Sequence, residues 1–111
     1  MKIAMNYEKK RGRAAVDVSK RKVGYDIKSG GRLIEVKARA DKLKVGNIHM
    51  HGSLLKKLGK NVSKYYIYVI YNINKEPKMK ILPPDFIFSN IEIDAHYLIR
   101  GKAIKNFPDE E

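Results

Sequence analysis

The stretch YYIYVIYNI, positions 65–73, constrains the fold more than any other part of the chain. It is β-branched or aromatic at odd and even positions alike. A strand with no polar side has no face to offer water, so it is covered on both faces. That calls for an interior strand between two layers. In a chain of 111 residues, the simplest container is one α/β domain over residues 1–111, with a central mixed β-sheet flanked by helices.

The remaining pattern supplies the other elements. Residues 3–12 predict a short helix with Ile3, Ala4 and Tyr7 inward and Glu8, Lys9 and Lys10 around the side. Residues 14–19 alternate as a strand. Residues 23–28 and 32–39 predict a hairpin around Gly30 and Gly31, and 40–46 a basic loop. Residues 48–50 read as a short strand or turn. Ser53 reads as the N-cap of a helix whose inner face is Leu54, Leu55 and Leu58 and whose end is Gly59. A turn at 74–77, strands at 78–82 and 92–99, a loop at Pro83 and Pro84, and a polar tail complete the chain.

The hairpin poses a chemical problem. Two central glycines suit a tight two-residue loop, because both tolerate positive φ. That loop sets Ser29 opposite Arg32, Lys28 opposite Leu33, Ile27 opposite Ile34 and Asp26 opposite Glu35. Tyr25, Ile27, Ile34, Val36 and Ala38 then share an apolar face. Asp26, Glu35 and Lys37 share the other. Two carboxylates with Cβ atoms about 5 Å apart repel each other. A divalent cation removes the conflict, since Mg²⁺ prefers hard oxygen ligands and is commonly held by one or two carboxylates plus water and phosphate. Lys37 beside it would orient a water and offset phosphate charge. Cation, water and phosphate are the components of phosphodiester hydrolysis. An ordinary salt bridge of Asp26 with Lys37 or Lys28 is the competing account.

Charge points to the same class of partner. The net charge is +12. Residues 1–64 carry 18 Lys/Arg against 5 Asp/Glu, whereas residues 65–111 carry 6 against 7. A basic half of this kind attracts polyanions, nucleic acid above all. Lys9, Lys10, Arg11, Arg13, Arg39, Lys56, Lys57 and Lys60 are the candidate phosphate contacts. With no cysteine, disulfides and thiolate metal sites are excluded. No apolar run reaches membrane-spanning length, no membrane partner is expected, and the start lacks a signal-peptide pattern, so a cytoplasmic location is the expectation. His49 and His51 share one face and could bind a metal or contact a phosphate, but without a third ligand polar residues at a strand edge are the favoured account. His96 reads as structural, and an interior strand accounts for Tyr65, Tyr66, Tyr68 and Tyr71.

Asp26, followed by Glu35-Val36-Lys37 on the next strand, resembles the core motif of the PD-(D/E)xK nuclease superfamily, which has the restriction-endonuclease-like fold. The longer run EKKRGRAAVDVS, GYDIKS, RLIEVK, with SKYYIYVIYNI beyond it, is similar to the nuclease-like domain named after the C-terminus of the NO VEIN protein. The resemblance covers residues 7–73. It implies Asp26 and Glu35 as ligands of Mg²⁺ or Mn²⁺ with the Val36 carbonyl, Lys37 as the water- and phosphate-positioning group, and Glu8 as the helix carboxylate that approaches the metal. Tyr25 stands where the superfamily motif has proline; the closer family shows tyrosine there. The implied activity is metal-dependent DNA cleavage, with RNA left open. An archaeal Holliday junction resolvase shares the motif, and a homodimer would suit its branched substrate. A nucleic-acid-binding module without turnover, within a larger defence or repair assembly, is the reading from another class.

Overall fold

The computed structural model describes residues 1–40, 46–50, 52–93 and 97–110. Its centre is a five-stranded sheet built from β1 (Ala15–Asp17), β2 (Ile27–Ser29), β3 (Arg32–Ala38), β5 (Tyr65–Tyr71) and β6 (Lys78–Leu82), in the order β1-β2-β3-β5-β6. The hairpin pairs antiparallel in the expected register, with Ser29 on Arg32, Lys28 on Leu33 and Ile27 on Ile34. β3 and β5 run parallel and β5 and β6 antiparallel, so the sheet is mixed. A parallel pair needs a crossover. The segment between β3 and β5 supplies it, with β4 (Ile48–Met50), α2 (Leu54–Leu58) and a 3₁₀ segment, Gly59–Lys64.

β5 is the interior strand its composition requires. Six of its seven residues are buried, and its side chains divide between two cores. Tyr65, Ile67 and Val69 join Leu33, Leu54, Leu58 and Ile87 on one face. Tyr68 and Ile70 join Ile27, Ile34 and Ala4 on the other. The second face is closed by α1 (Lys2–Lys10). The first is closed by α2, α3 (Pro84–Asn90), α4 (Gly101–Lys105) and a three-stranded sheet in the order β4-β8-β7, with β7 at Ile91–Ile93 and β8 at Tyr97–Ile99.

Several expectations need correction. In α1, Ala4 and Glu8 face inward, while Ile3 is 38% exposed. A charge can displace an isoleucine from that position because polar partners wait for it on the sheet. In α2, Leu54 and Leu58 are buried but Leu55 is exposed, since a five-residue helix presents only one narrow inner stripe. Residues 92–99 are two strands, not one: Ile91 pairs with Ile99 and Ile93 with Tyr97, so the chain reverses between them. The region after Pro83 is a helix. Pro84 occupies its first turn, where a missing N–H costs nothing and the fixed φ fits. The C-terminal segment is pinned as well: Asp109 accepts hydrogen bonds from Tyr71 and Lys80, and Glu110 N–H donates to the Met79 carbonyl.

Candidate active site

The β2–β3 ladder ends one residue sooner than simple alternation predicts. Asp26 N–H donates to the Ile34 carbonyl at 2.8 Å, although Ile27 is already the register partner of Ile34. Two successive residues addressing one is the arrangement of a β-bulge, which re-aims a side chain. Residues 23–26 are accordingly not strand. Asp26 is nonetheless held on three sides. Its carbonyl accepts from Val18 N–H at 2.8 Å, and its carboxylate Oδ2 accepts from Val36 N–H at 2.9 Å. The carboxylate thus takes the ladder position that a backbone carbonyl of β2 would otherwise fill. N–H and C=O of one strand residue point to the same edge. The Val36 carbonyl therefore faces the same gap.

The break also redistributes the apolar side chains. Ile27, Ile34 and Val36 share the α1-covered face as expected, but Tyr25 packs with the opposite core and Ala38 is exposed. Glu35 and Lys37 lie beside Ile67 and Val69 in the β3–β5 register, on the face covered by α2 and the small sheet. Glu35 therefore sits half-buried among apolar neighbours. Burial, then hydrogen bonding to and the charge of the neighbouring Asp26, push Glu35 up to about 8, against an opposing pull from Lys37 and Val36 N–H. Burial and the Asp26 charge thus disfavour a charged Glu35, and an oxygen-preferring cation beside the two carboxylates would offset both. The donor set of two carboxylates and a backbone carbonyl fits Mg²⁺ or Mn²⁺. Among the described residues, no group of three or more His, Cys, Asp or Glu forms a ready cage.

Glu8 does not join this pair. It is fully buried on the other side of the sheet, where Arg13 Nε and Nη2 donate to its two oxygens at 2.6 and 2.9 Å and the Tyr68 hydroxyl donates at 2.7 Å. Burial alone would raise its pKa; the hydrogen bonds from Arg13 and Tyr68 outweigh burial and hold it below the usual carboxylate range. Arg32 extends the network by donating to the Tyr68 hydroxyl at 2.8 Å.

The basic candidates divide in the same way. Lys9, Lys10 and Arg11 are exposed at the end of α1, with Arg11 over the Tyr7 ring at 5.1 Å. Arg13 is committed to Glu8, and Arg39 donates to the Ala38 carbonyl. Lys56, Lys57 and Lys60 are exposed on and just after α2, on the side of Glu35 and Lys37. The segment leading to Asp26 packs there too: a Cβ on Gly24 would meet Leu54 Cδ1 at 3.4 Å and the Lys57 stem at 3.7 Å. A cleft of about 310 Å³ opens between them, with Lys22, Tyr25, Lys57 and Asn61 in its wall. Lys22 and Asn61 were not foreseen; the basic run at 20–22, four residues before Asp26, was the available signal. His49 is exposed on the edge strand β4, while His51, His96 and most of the expected basic loop lie outside the described residues.

The model of one protein family, "Protein NO VEIN, C-terminal", matches residues 1–82. The chain belongs to this family. The match to the NO VEIN C-terminal family begins with α1 and ends with β6. It therefore spans the whole five-stranded sheet and leaves α3, β7, β8 and α4 outside. A search of the curated proteins finds no match. Among the described residues, no helix is long and apolar enough to cross a membrane.

Proposed function

We propose that the chain is a Mg²⁺-dependent DNA nuclease of the PD-(D/E)xK type, with a restriction-endonuclease-like core. The observation that supports this reading is the Asp26 carboxylate held by Val36 N–H at the end of the β2–β3 ladder, one residue from Glu35, with Lys37 on the same face as Glu35. Asp26, Glu35 and the Val36 carbonyl would hold Mg²⁺ or Mn²⁺. Such an ion would polarise a phosphoryl oxygen and lower the pKa of a bound water. The chain's own residues do the rest. Val36 N–H fixes the Asp26 carboxylate. Lys37 supplies a cation beside Glu35 that orients the attacking water and offsets charge on the phosphate. Lys22 and Lys57, in the wall of the cleft, and the exposed Lys56 and Lys60 would contact neighbouring phosphates, which adds affinity without sequence preference.

The test is cleavage of single-stranded, duplex and branched DNA by the purified chain with Mg²⁺ or Mn²⁺. Asp26→Ala and Lys37→Ala should abolish cutting and retain salt-sensitive binding. Preference for a four-way junction would select the resolvase reading. One observation favours a binding module without turnover: Glu8 is turned away, so among the described residues no third carboxylate joins Asp26 and Glu35. Binding of all three substrates without cutting would establish that reading instead.

A further inference from the structure

Tyr65 is completely buried in the core on the Glu35 face. Its ring packs against Phe88 with centroids 6.3 Å apart. Its hydroxyl has no hydrogen-bond partner among the described residues. A buried hydroxyl left unpaired costs about 1–3 kcal/mol. Phenylalanine would fill the same volume without that cost, as Phe86, Phe88 and Phe107 do around this core. An acceptor brought within reach of the hydroxyl would remove that cost.

The sheet register says where that acceptor is. Tyr65 pairs with Leu33 and Ile67 with Glu35, so Tyr65 is the diagonal neighbour of Glu35 on one face. A tyrosine hydroxyl with no exposed surface stays protonated and is therefore a donor. No nucleic acid reaches it, because it has no exposed surface. The Asp26 carboxylate already accepts from Val36 N–H, one residue from Glu35. A half-buried Glu35 drawn onto a cation would carry its charge there and need a donor for the oxygen left over.

We propose that Tyr65 is a positioning residue of this site, whose buried, unpartnered hydroxyl hydrogen-bonds and orients the Glu35 carboxylate when a divalent cation is held there. This rests on the cation-site reading above. Carboxylates that ligate metals are themselves hydrogen-bonded, and loss of such a partner weakens metal affinity roughly 10- to 100-fold. Tyr65 therefore favours the loaded state at the expense of the empty one.

Tyr65→Phe separates the two states. In EDTA the variant should be as resistant to urea as the parent, or more so. Mn²⁺ titration followed by the electron paramagnetic resonance of the free ion should show affinity weakened by about tenfold or more. Tyr68→Phe is the internal contrast, since Tyr68 already has its partners. It should lose stability in EDTA and keep its Mn²⁺ affinity. Parental Mn²⁺ affinity in Tyr65→Phe overturns the inference while leaving the cation site intact. So does a loss of stability in EDTA as large as that of Tyr68→Phe. A parent chain that binds no Mn²⁺ overturns the cation site and the inference with it.

Discussion

Replacing Arg13 by methionine keeps an apolar stem and removes the charge facing Glu8. Both Glu8 oxygens then lose their Arg13 donors, and only the Tyr68 hydroxyl remains. Glu8 has no exposed surface with which to recruit water. Removing one partner of a buried ion pair costs about 3–5 kcal/mol. The total stability of a domain is about 5–15 kcal/mol, so Arg13→Met should lower the urea midpoint at pH 7 by a large fraction. The pH dependence has a definite sign. In the parent, Glu8 has a folded-state pKa below 4.5. Its stabilisation is present above pH 4.5 and is lost as pH falls through the folded value. In the variant burial dominates, and protonation relieves the penalty. The gap between the two proteins should therefore narrow as pH is lowered through 4.5. The double variant Glu8→Leu/Arg13→Met should recover most of the loss, because burying neither charge costs less than burying one. A loss below about 1 kcal/mol at pH 7 would refute the reasoning, since exposed pairs give only that much. A gap that does not change with pH would refute it too.

Five further outcomes follow from the same geometry. Glu8→Gln should leave Mn²⁺ affinity unchanged and Asp26→Asn should weaken it in the same titration, because the two carboxylates lie on opposite faces of the sheet. Gly30→Ala should cost about 1–3 kcal/mol in urea denaturation, for its φ is +51° and the new Cβ would lie 2.8 Å from Arg13 Cδ, whose guanidinium Glu8 holds in place. Gly31→Ala, at φ +84° with open space around it, should cost less, about 1 kcal/mol. Asp109→Ala should cost about 1–3 kcal/mol, measured the same way, because it removes the carboxylate facing the buried Lys80 ammonium. If the chain binds DNA through α2, changing Lys56, Lys57 and Lys60 together to glutamine should flatten the salt dependence of binding by roughly 0.9 per lost phosphate contact.

How much of this was legible in the sequence differs from element to element for physical reasons. The β5 strand and the hairpin register were readable because both rest on local rules: two-sided apolar character and the positive φ of Gly30 and Gly31. The orientation of α1 was not. It depends on Tyr68, sixty residues away, and on Arg13 across the turn, and no periodicity within the helix reveals either. The helix at Pro84–Asn90 was hidden because paired prolines read as a loop, although one of them is well suited to a first turn. The two strands at residues 91–99 merged because alternation continues across the reversal.

The site shows the same division at finer scale. Alternation alone places Asp26 opposite Glu35; the structure brings the Asp26 carboxylate to Val36 N–H, next to Glu35, by another route. A regular ladder would carry β2 past Asp26 and give Val36 N–H a backbone acceptor. The bulge stops the ladder, and the Asp26 carboxylate takes that N–H itself. One acidic side chain thereby caps the ladder and stands beside Glu35, so its position is set by backbone hydrogen bonds. Those bonds come from Val18, Ile34 and Val36, residues chosen for their place in strands and not for their side-chain chemistry. The double glycine and the apolar pattern therefore locate the carboxyl pair to within one residue. The unpaired backbone at the end of β2 decides the rest. Asp26→Asn should consequently keep the fold, because an amide oxygen still accepts from Val36 N–H, while it loses the charge a cation needs. Asp26→Ala orphans that N–H and removes the charge together. Urea denaturation in EDTA should separate them by about 1 kcal/mol or more in favour of Asp26→Asn. Equal stability would show that the carboxylate does not cap the ladder.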